Sequence, residues 1–180
     1  MVVDQASQQH KVESLSKELQ SIHANQIFHC ISADLSTRDQ TRSLASQILE
    51  DPTIAAKHKA ISILVANAGL GRRIRDVQNI NEDDWDEVME VNARSQFVVT
   101  KACLPGMRAQ AWGRVILVGS IASKGGGING CHYAATKGAL RLVTPFPMQS
   151  ECMIKRQQFN GPELGYSIGW RGRNSQCSKW

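Results

Sequence analysis

The stretch Gly113–Thr144, GRVILVGSIASKGGGINGCHYAATKGALRLVT, constrains the chain more than any other. Val115, Ile116, Leu117 and Val118 form a short apolar, β-branched run that suits a buried strand and is too short for a free-standing helix. Gly119 and Ser120 end the run, a glycine-rich loop follows, and Tyr133–Thr144 reads as a helix. On that helix Tyr133 and Lys137 stand four apart, so both side chains leave one face about one turn from each other. Ser120 falls at the carboxyl end of the strand, where open α/β sheets keep their ligand crevice. A hydroxyl, a phenol and an ammonium are therefore expected at one site.

That grouping suits proton transfer at an alcohol or carbonyl. A free tyrosine titrates near pH ~10, too high for acid–base work at neutral pH, and a neighbouring lysine cation favours the phenolate. A serine hydroxyl can hold a substrate oxygen beside the phenol. A cofactor would have to carry the hydride. A Tyr-x-x-x-Lys pair alone is weak, because an aromatic residue beside a solvated lysine is ordinary on a helix.

The rest of the chain supplies the frame. Val2-Val3-Asp4 reads as a strand end, Gln8–Ile22 as an amphipathic helix on Val12, Leu15, Leu19 and Ile22, and Gln26–Ala33 as a strand closing on Asp34. Thr37–Glu50 is a helix stopped by Asp51-Pro52, and Ile61–Ala66 a strand apolar enough to be covered on both faces. Strand and helix alternate in the rhythm of a doubly wound parallel sheet. The carboxyl ends of its strands deliver Asp4, Asp34, Asn67-Ala68-Gly69 and Gly119-Ser120, which a parallel sheet places on one edge. Asn81 caps the next helix, with acids in its first turn. Its apolar face, Trp85, Val88 and Met89, next reaches Asn92, an amide where a hydrophobic residue belongs, and the helix is expected to run to Pro105-Gly106.

Composition removes several function classes. The chain has 180 residues, is 42% hydrophobic and carries a net charge of +5. It suits one domain with a real core. No run of five Lys/Arg exists, so nucleic-acid binding has little support. Arg72, Arg73 and Arg75 form the densest basic cluster, a solvated loop or a contact for an acidic substrate or phosphate. Cys30, Cys103, Cys131, Cys152 and Cys177 are odd in number and lack any C-x-x-C, as in a reduced, cytoplasmic protein without a disulfide framework or metal site. No apolar stretch approaches the 18 residues of a membrane span. Gly125–Gly130 matches G-x-G-x-x-G literally but begins well past the strand end, which the dinucleotide turn does not allow.

Asn67-Ala68-Gly69, Asn92, Ser120 and Tyr133-x-x-x-Lys137, in that order and spacing, resemble the short-chain dehydrogenase/reductase family over about Val2–Thr144. The nearest type is the classical one, including enzymes like 3-oxoacyl-carrier-protein reductase. The resemblance implies a Rossmann-type sheet and interconversion of a small secondary alcohol and a carbonyl with NAD or NADP. Tyr133 would be the catalytic acid/base, and Lys137 would assist it and bind the nicotinamide ribose. Ser120 would orient the substrate oxygen, and Asn92 would hold a water of the proton relay. Asp34 would contact adenine, Asn67, Ala68 and Gly69 would line the cofactor, and Asp4 would bond the adenosine ribose. Homo-oligomers are usual in the family.

The family opens with a strand and a Thr-Gly-x-x-x-Gly-x-Gly turn that precede the part resembled here, and its first strand lies between those ending at Asp4 and Asn67. The expectation is an incomplete Rossmann domain over residues 1–144, lacking the first and the C-terminal strand, with weak or no dinucleotide affinity because the phosphates lose their helix N-terminus. Residues 145–180, with Pro145 and Pro147 ending the Tyr133 helix, are expected to form a poorly ordered basic tail. Competing expectations are an inactive member that works by associating with another subunit, and a nucleotide-binding regulatory module.

Overall fold

The computed structural model describes residues 2–4, 9–124, 128–143, 152–158 and 164–171. Strand β1 (Val2–Asp4) leads to helix α1 (Gln9–Ile22) and strand β2 (Cys30–Ser32). Helix α2 (Arg38–Glu50) and the short α3 (Pro52–Ala55) follow, then strand β3 (Ile63–Ala66). Asp51 both ends α2 and caps α3, its carboxylate accepting from the Thr53 and Ile54 N–H groups with Pro52 at the first helical position. Helix α4 (Glu82–Met89), a π-turn (Glu90–Arg94) and helix α5 (Ser95–Ala109) form one continuous helical run, and a turn at Gln110 and Ala111 leads into strand β4 (Trp112–Val118). A 3₁₀ turn (Ile121–Lys124) leads towards helix α6 (Gly130–Val143), and strands β5 (Cys152–Gln158) and β6 (Leu164–Arg171) close the described chain.

β1 and β2 pair in parallel, as do β3 and β4, and each pair is joined through helices on the sheet face. This is an incomplete Rossmann-type doubly wound sheet: β1–β2 stands as one piece and β3–β4–β6–β5 as another. The core lies on one side of it. Ala66, Val115 and Leu117 of β3 and β4 pack with Ala45 of α2, Cys103 and Met107 of α5 and Leu140 of α6. A second cluster joins Ala33 and Leu35, after β2, to Leu44 and Ile48 of α2, with Ile61, Ala68 and Val99 against it. That cluster holds the two sheet pieces to a common helical layer.

Several expectations change in detail. β3 was expected to be covered on both faces, yet Ile63 and Val65 are 55% and 56% exposed. The helices α2 and α5 lie on the Leu64–Ala66 side, and among the described residues nothing covers the other. α5 does not stop at Pro105-Gly106 but continues to Ala109. Proline forfeits one backbone bond, whereas stopping there would expose Met107, which is 3% accessible and packs against Gly113 of β4. Gly106 also lies against Ala60, close enough that a Cβ would come within 2.8 Å of the alanine methyl.

The poorly ordered tail expected over 145–180 is corrected for two spans. β6 pairs antiparallel with β4 from Val118↔Gly165 to Trp112↔Arg171, and β5 pairs antiparallel with β6. Leu164, Tyr166, Ile168 and Trp170 recur every second residue, a strand period that the interleaved Gly165, Ser167 and Gly169 obscure. Thr144, Pro145 and Pro147, and with them the expected end of the Tyr133 helix, lie outside the described residues. Helix α6 itself begins at Gly130, a turn ahead of Tyr133.

Candidate active site

The site forms where the loop after β3, the π-turn and α6 meet. Asn92 sits in the π-turn, fully buried. Its Oδ1 accepts the Leu70 N–H at 2.5 Å, and its Nδ2 donates to the Leu70 carbonyl at 2.8 Å and to Thr136 Oγ1 at 3.3 Å. The amide that broke the hydrophobic pattern therefore binds backbone 22 residues away. A π-turn widens the helix by one residue, and such turns recur at functional sites. Gln96, buried on α5, donates to the Ala68 carbonyl at 2.8 Å, so two amides hold consecutive parts of the Asn67–Leu70 loop. Neither Gln96 nor Thr136 was singled out from sequence. Their only signal is position, Gln96 four residues beyond Asn92 and Thr136 beside Lys137.

Lys137 is 4% exposed, and its ammonium donates to the Val118 carbonyl at the end of β4 at 2.9 Å. It lies 5.7 Å from the centre of the Tyr133 ring. A Cβ on Gly69 would lie 3.4 Å from Asn92 Oδ1 and 3.5 Å from Lys137 Nζ, so the bare glycine backbone is exposed directly beside the ammonium. Tyr133 is half-buried, its carbonyl accepting from Thr136 Oγ1 at 2.7 Å. Gly69, Asn92, Tyr133, Thr136 and Lys137 thus form one connected group.

Ser120 follows β4 by two residues, at the start of the 3₁₀ turn. Its Oγ accepts the Ala122 N–H at 3.2 Å, which leaves the hydroxyl proton to be donated elsewhere. Asp34 follows β2, half-buried, with Oδ1 accepting from the Ser36 N–H and hydroxyl at 2.9 and 2.7 Å. Ala68 packs against the cluster that includes Ala33 and Leu35, the two residues flanking Asp34. Asp4 pairs in register with Ser32 at the same strand edge, and its side chain lies outside the described residues.

Other polar groups have different work. Arg72 of the basic cluster is held by Asp84 at 3.4 Å and by Glu87. Burial pushes the Cys103 thiol up to about 11, so it is a core residue and no nucleophile. A cavity of about 340 Å³ lined by Val77, Ile80, Asn81, Glu82, Trp85, Asp86 and Cys131 shares no residue with the group above, although Cys131 stands two residues before Tyr133 on α6. Among the described residues there is no cluster of metal-binding side chains and no helix long and apolar enough to cross a membrane.

A doubly wound parallel sheet with tyrosine, lysine, asparagine and a strand-end serine gathered near its carboxyl edge defines a Rossmann-type class of protein. Residues 1–150 match the family described as short chain dehydrogenase, and the chain belongs to it. It is 34% identical over 108 residues to cyclopentanol dehydrogenase of Comamonas testosteroni, covering 60% of this chain and 41% of that enzyme. It is also 34% identical over 109 residues to the 3-oxoacyl-acyl-carrier-protein reductase FabG of Vibrio cholerae, covering 57% of this chain and 44% of the relative. The chain thus spans under half the length of these curated relatives. Among solved structures, a metagenomic short-chain oxidoreductase in complex with NADP superposes with a TM-score of 0.67 at 26% identity, covering 79% of this chain and 61% of the other.

Proposed function

We propose that the chain carries the catalytic half of an NAD(P)-dependent oxidoreductase interconverting a small secondary alcohol and a carbonyl. The observation that carries this reading is the contact group of Gly69, Asn92, Tyr133 and Lys137, with the buried Lys137 ammonium between the β4 carboxyl end and the Tyr133 ring. The dinucleotide, when bound, supplies or takes up the hydride. A bare glycine backbone beside a buried cation suits a ribose hydroxyl, so Gly69 and Lys137 would hold the nicotinamide end. Asp34 would hold the adenosine end, with Asp4 beside it on the next strand, and the Asn67–Gly69 loop would line the cofactor between the two ends.

In the oxidative direction the substrate hydroxyl gives its proton to the Tyr133 oxygen as the carbinol carbon gives up its hydride. In reduction the Tyr133 hydroxyl returns the proton to the carbonyl oxygen. Lys137 stabilises the negative charge that the phenol oxygen carries between these states, and Ser120, whose proton is available, donates to the substrate oxygen. Asn92 fixes the loop, its side chain being committed to Leu70 and Thr136, and a relay water would rest on its remaining acceptor capacity.

Tyr133→Phe keeps the ring and removes only the proton carrier. Turnover with NAD or NADP and a small secondary alcohol should fall by about 10²–10⁴-fold with dinucleotide affinity almost unchanged. Near-normal turnover in that variant would remove Tyr133 as the acid/base. One observation favours a second reading, in which the chain works only in association with another subunit. It is the exposure of Ile63 and Val65 on β3, a strand of the type that is normally covered. Full turnover by the isolated monomer would exclude it.

A further inference from the structure

Three polar side chains are buried where the π-turn passes into α5. Asn92, Ser95 and Gln96 are 0%, 0% and 4% exposed, and only Asn92 belongs to the motif pattern of the family. Buried polar groups are kept where their bonds are complete. For Ser95 the demand comes from the backbone. Its N–H bonds the Glu90 carbonyl, five residues back, whereas an α-helix would direct it to Val91. The Val91 carbonyl thereby loses its ordinary donor, and the Ser95 hydroxyl takes that place at 2.5 Å.

The bonds continue outward from there. Ser95 Oγ, its proton committed to Val91, accepts from Gln96 Nε2 at 3.4 Å. The same Nε2 carries two hydrogens and also donates to the Ala68 carbonyl at 2.8 Å. Asn92, carried by the π-turn itself, holds both backbone groups of Leu70. The turn therefore grips the loop after β3 at Ala68 and at Leu70. Between them lies Gly69, the glycine beside the Lys137 ammonium. Without the Ser95 hydroxyl or the Gln96 amide, a backbone carbonyl, of Val91 or of Ala68, loses a side-chain donor that it now has.

We propose that Ser95 and Gln96 are positioning residues for the dinucleotide: Ser95 sustains the π-turn by pairing the Val91 carbonyl, and Gln96 fastens that turn to Ala68, so that the Asn67–Gly69 backbone lies at one fixed register along the bound cofactor. Both act through the backbone that they hold. The fastening stands on its own bonds, and its consequence for the cofactor rests on the oxidoreductase reading.

The test uses the full chain and begins without turnover. Through-hydrogen-bond amide–carbonyl correlation on labelled parent protein should pair the Ser95 nitrogen with the Glu90 carbonyl. Pairing with Val91 instead would overturn the proposal, and this measurement decides even where a variant does not fold. In Ser95→Ala and in Gln96→Met, exchange of the Leu70 amide should accelerate by about tenfold or more, with the α5 amides 99–104 unchanged. Unaltered Leu70 exchange in both variants, or acceleration spread evenly along α5, would also overturn it. In an active preparation Gln96→Met should raise the dinucleotide KM by about tenfold and leave kcat and its pH profile as in the parent. A shifted pH profile with unchanged KM would count against the proposal, since the effect would then lie at Tyr133. Faster Leu70 exchange in a chain that binds no dinucleotide would support the fastening and remove the oxidoreductase reading alone.

Discussion

Asn92 shows how one residue can be chosen by geometry. A buried asparagine is tolerated only where both ends of its amide find partners, and here they find the N–H and carbonyl of a single residue, Leu70, plus the Thr136 hydroxyl. Asn92→Ala orphans both Leu70 groups, each at a cost of about 1–3 kcal/mol if they stay dry. The urea midpoint should drop accordingly, and an unchanged midpoint would mean that the loop is held by Gln96 alone. The break that Asn92 makes in an apolar face was readable from sequence. Its partner was not, because no periodicity links residue 70 to residue 92. Gln96 and Thr136 were unreadable for the same reason: each matters through a contact made by another element.

At the scale of elements, periodicity found nearly every helix and strand but misjudged their ends and covers. Asn81 caps α4 as its sequence indicates, with Oδ1 accepting the Asp84 N–H at 2.7 Å. The stop expected at Pro105-Gly106 failed because the packing of Met107 outweighs one lost backbone bond. Gly106→Ala tests that balance. Its new methyl would meet the Ala60 methyl at 2.8 Å, and overpacking of this kind costs about 1–3 kcal/mol. A lower denaturation midpoint with unchanged helical circular dichroism is the expected outcome. Unaltered stability would show that α5 can slide away from residue 60. The β6 strand escaped notice because its glycines and serine dilute the hydrophobic alternation of Leu164, Tyr166, Ile168 and Trp170.

For the whole molecule, the sheet's parallel pairs and the gathering of site residues near their carboxyl ends followed from alternation of strand and helix alone. The break between β1–β2 and β3–β4 was expected from the family resemblance, whose first strand lies between the strands ending at Asp4 and Asn67, whereas the bare Ile63–Val65 face was not, since an apolar strand reads the same whether or not it is covered. On the proposed function, the dinucleotide binds along that carboxyl edge and nowhere else. Backbone amide shifts recorded while NADP or NAD is titrated into the chain test it most directly, because they locate binding even when it is weak. Perturbations are expected to concentrate at Asp34, Asn67–Gly69, Ser120, Tyr133 and Lys137. Perturbations centred on Val77–Asp86 and Cys131, or none at millimolar dinucleotide, would contradict it.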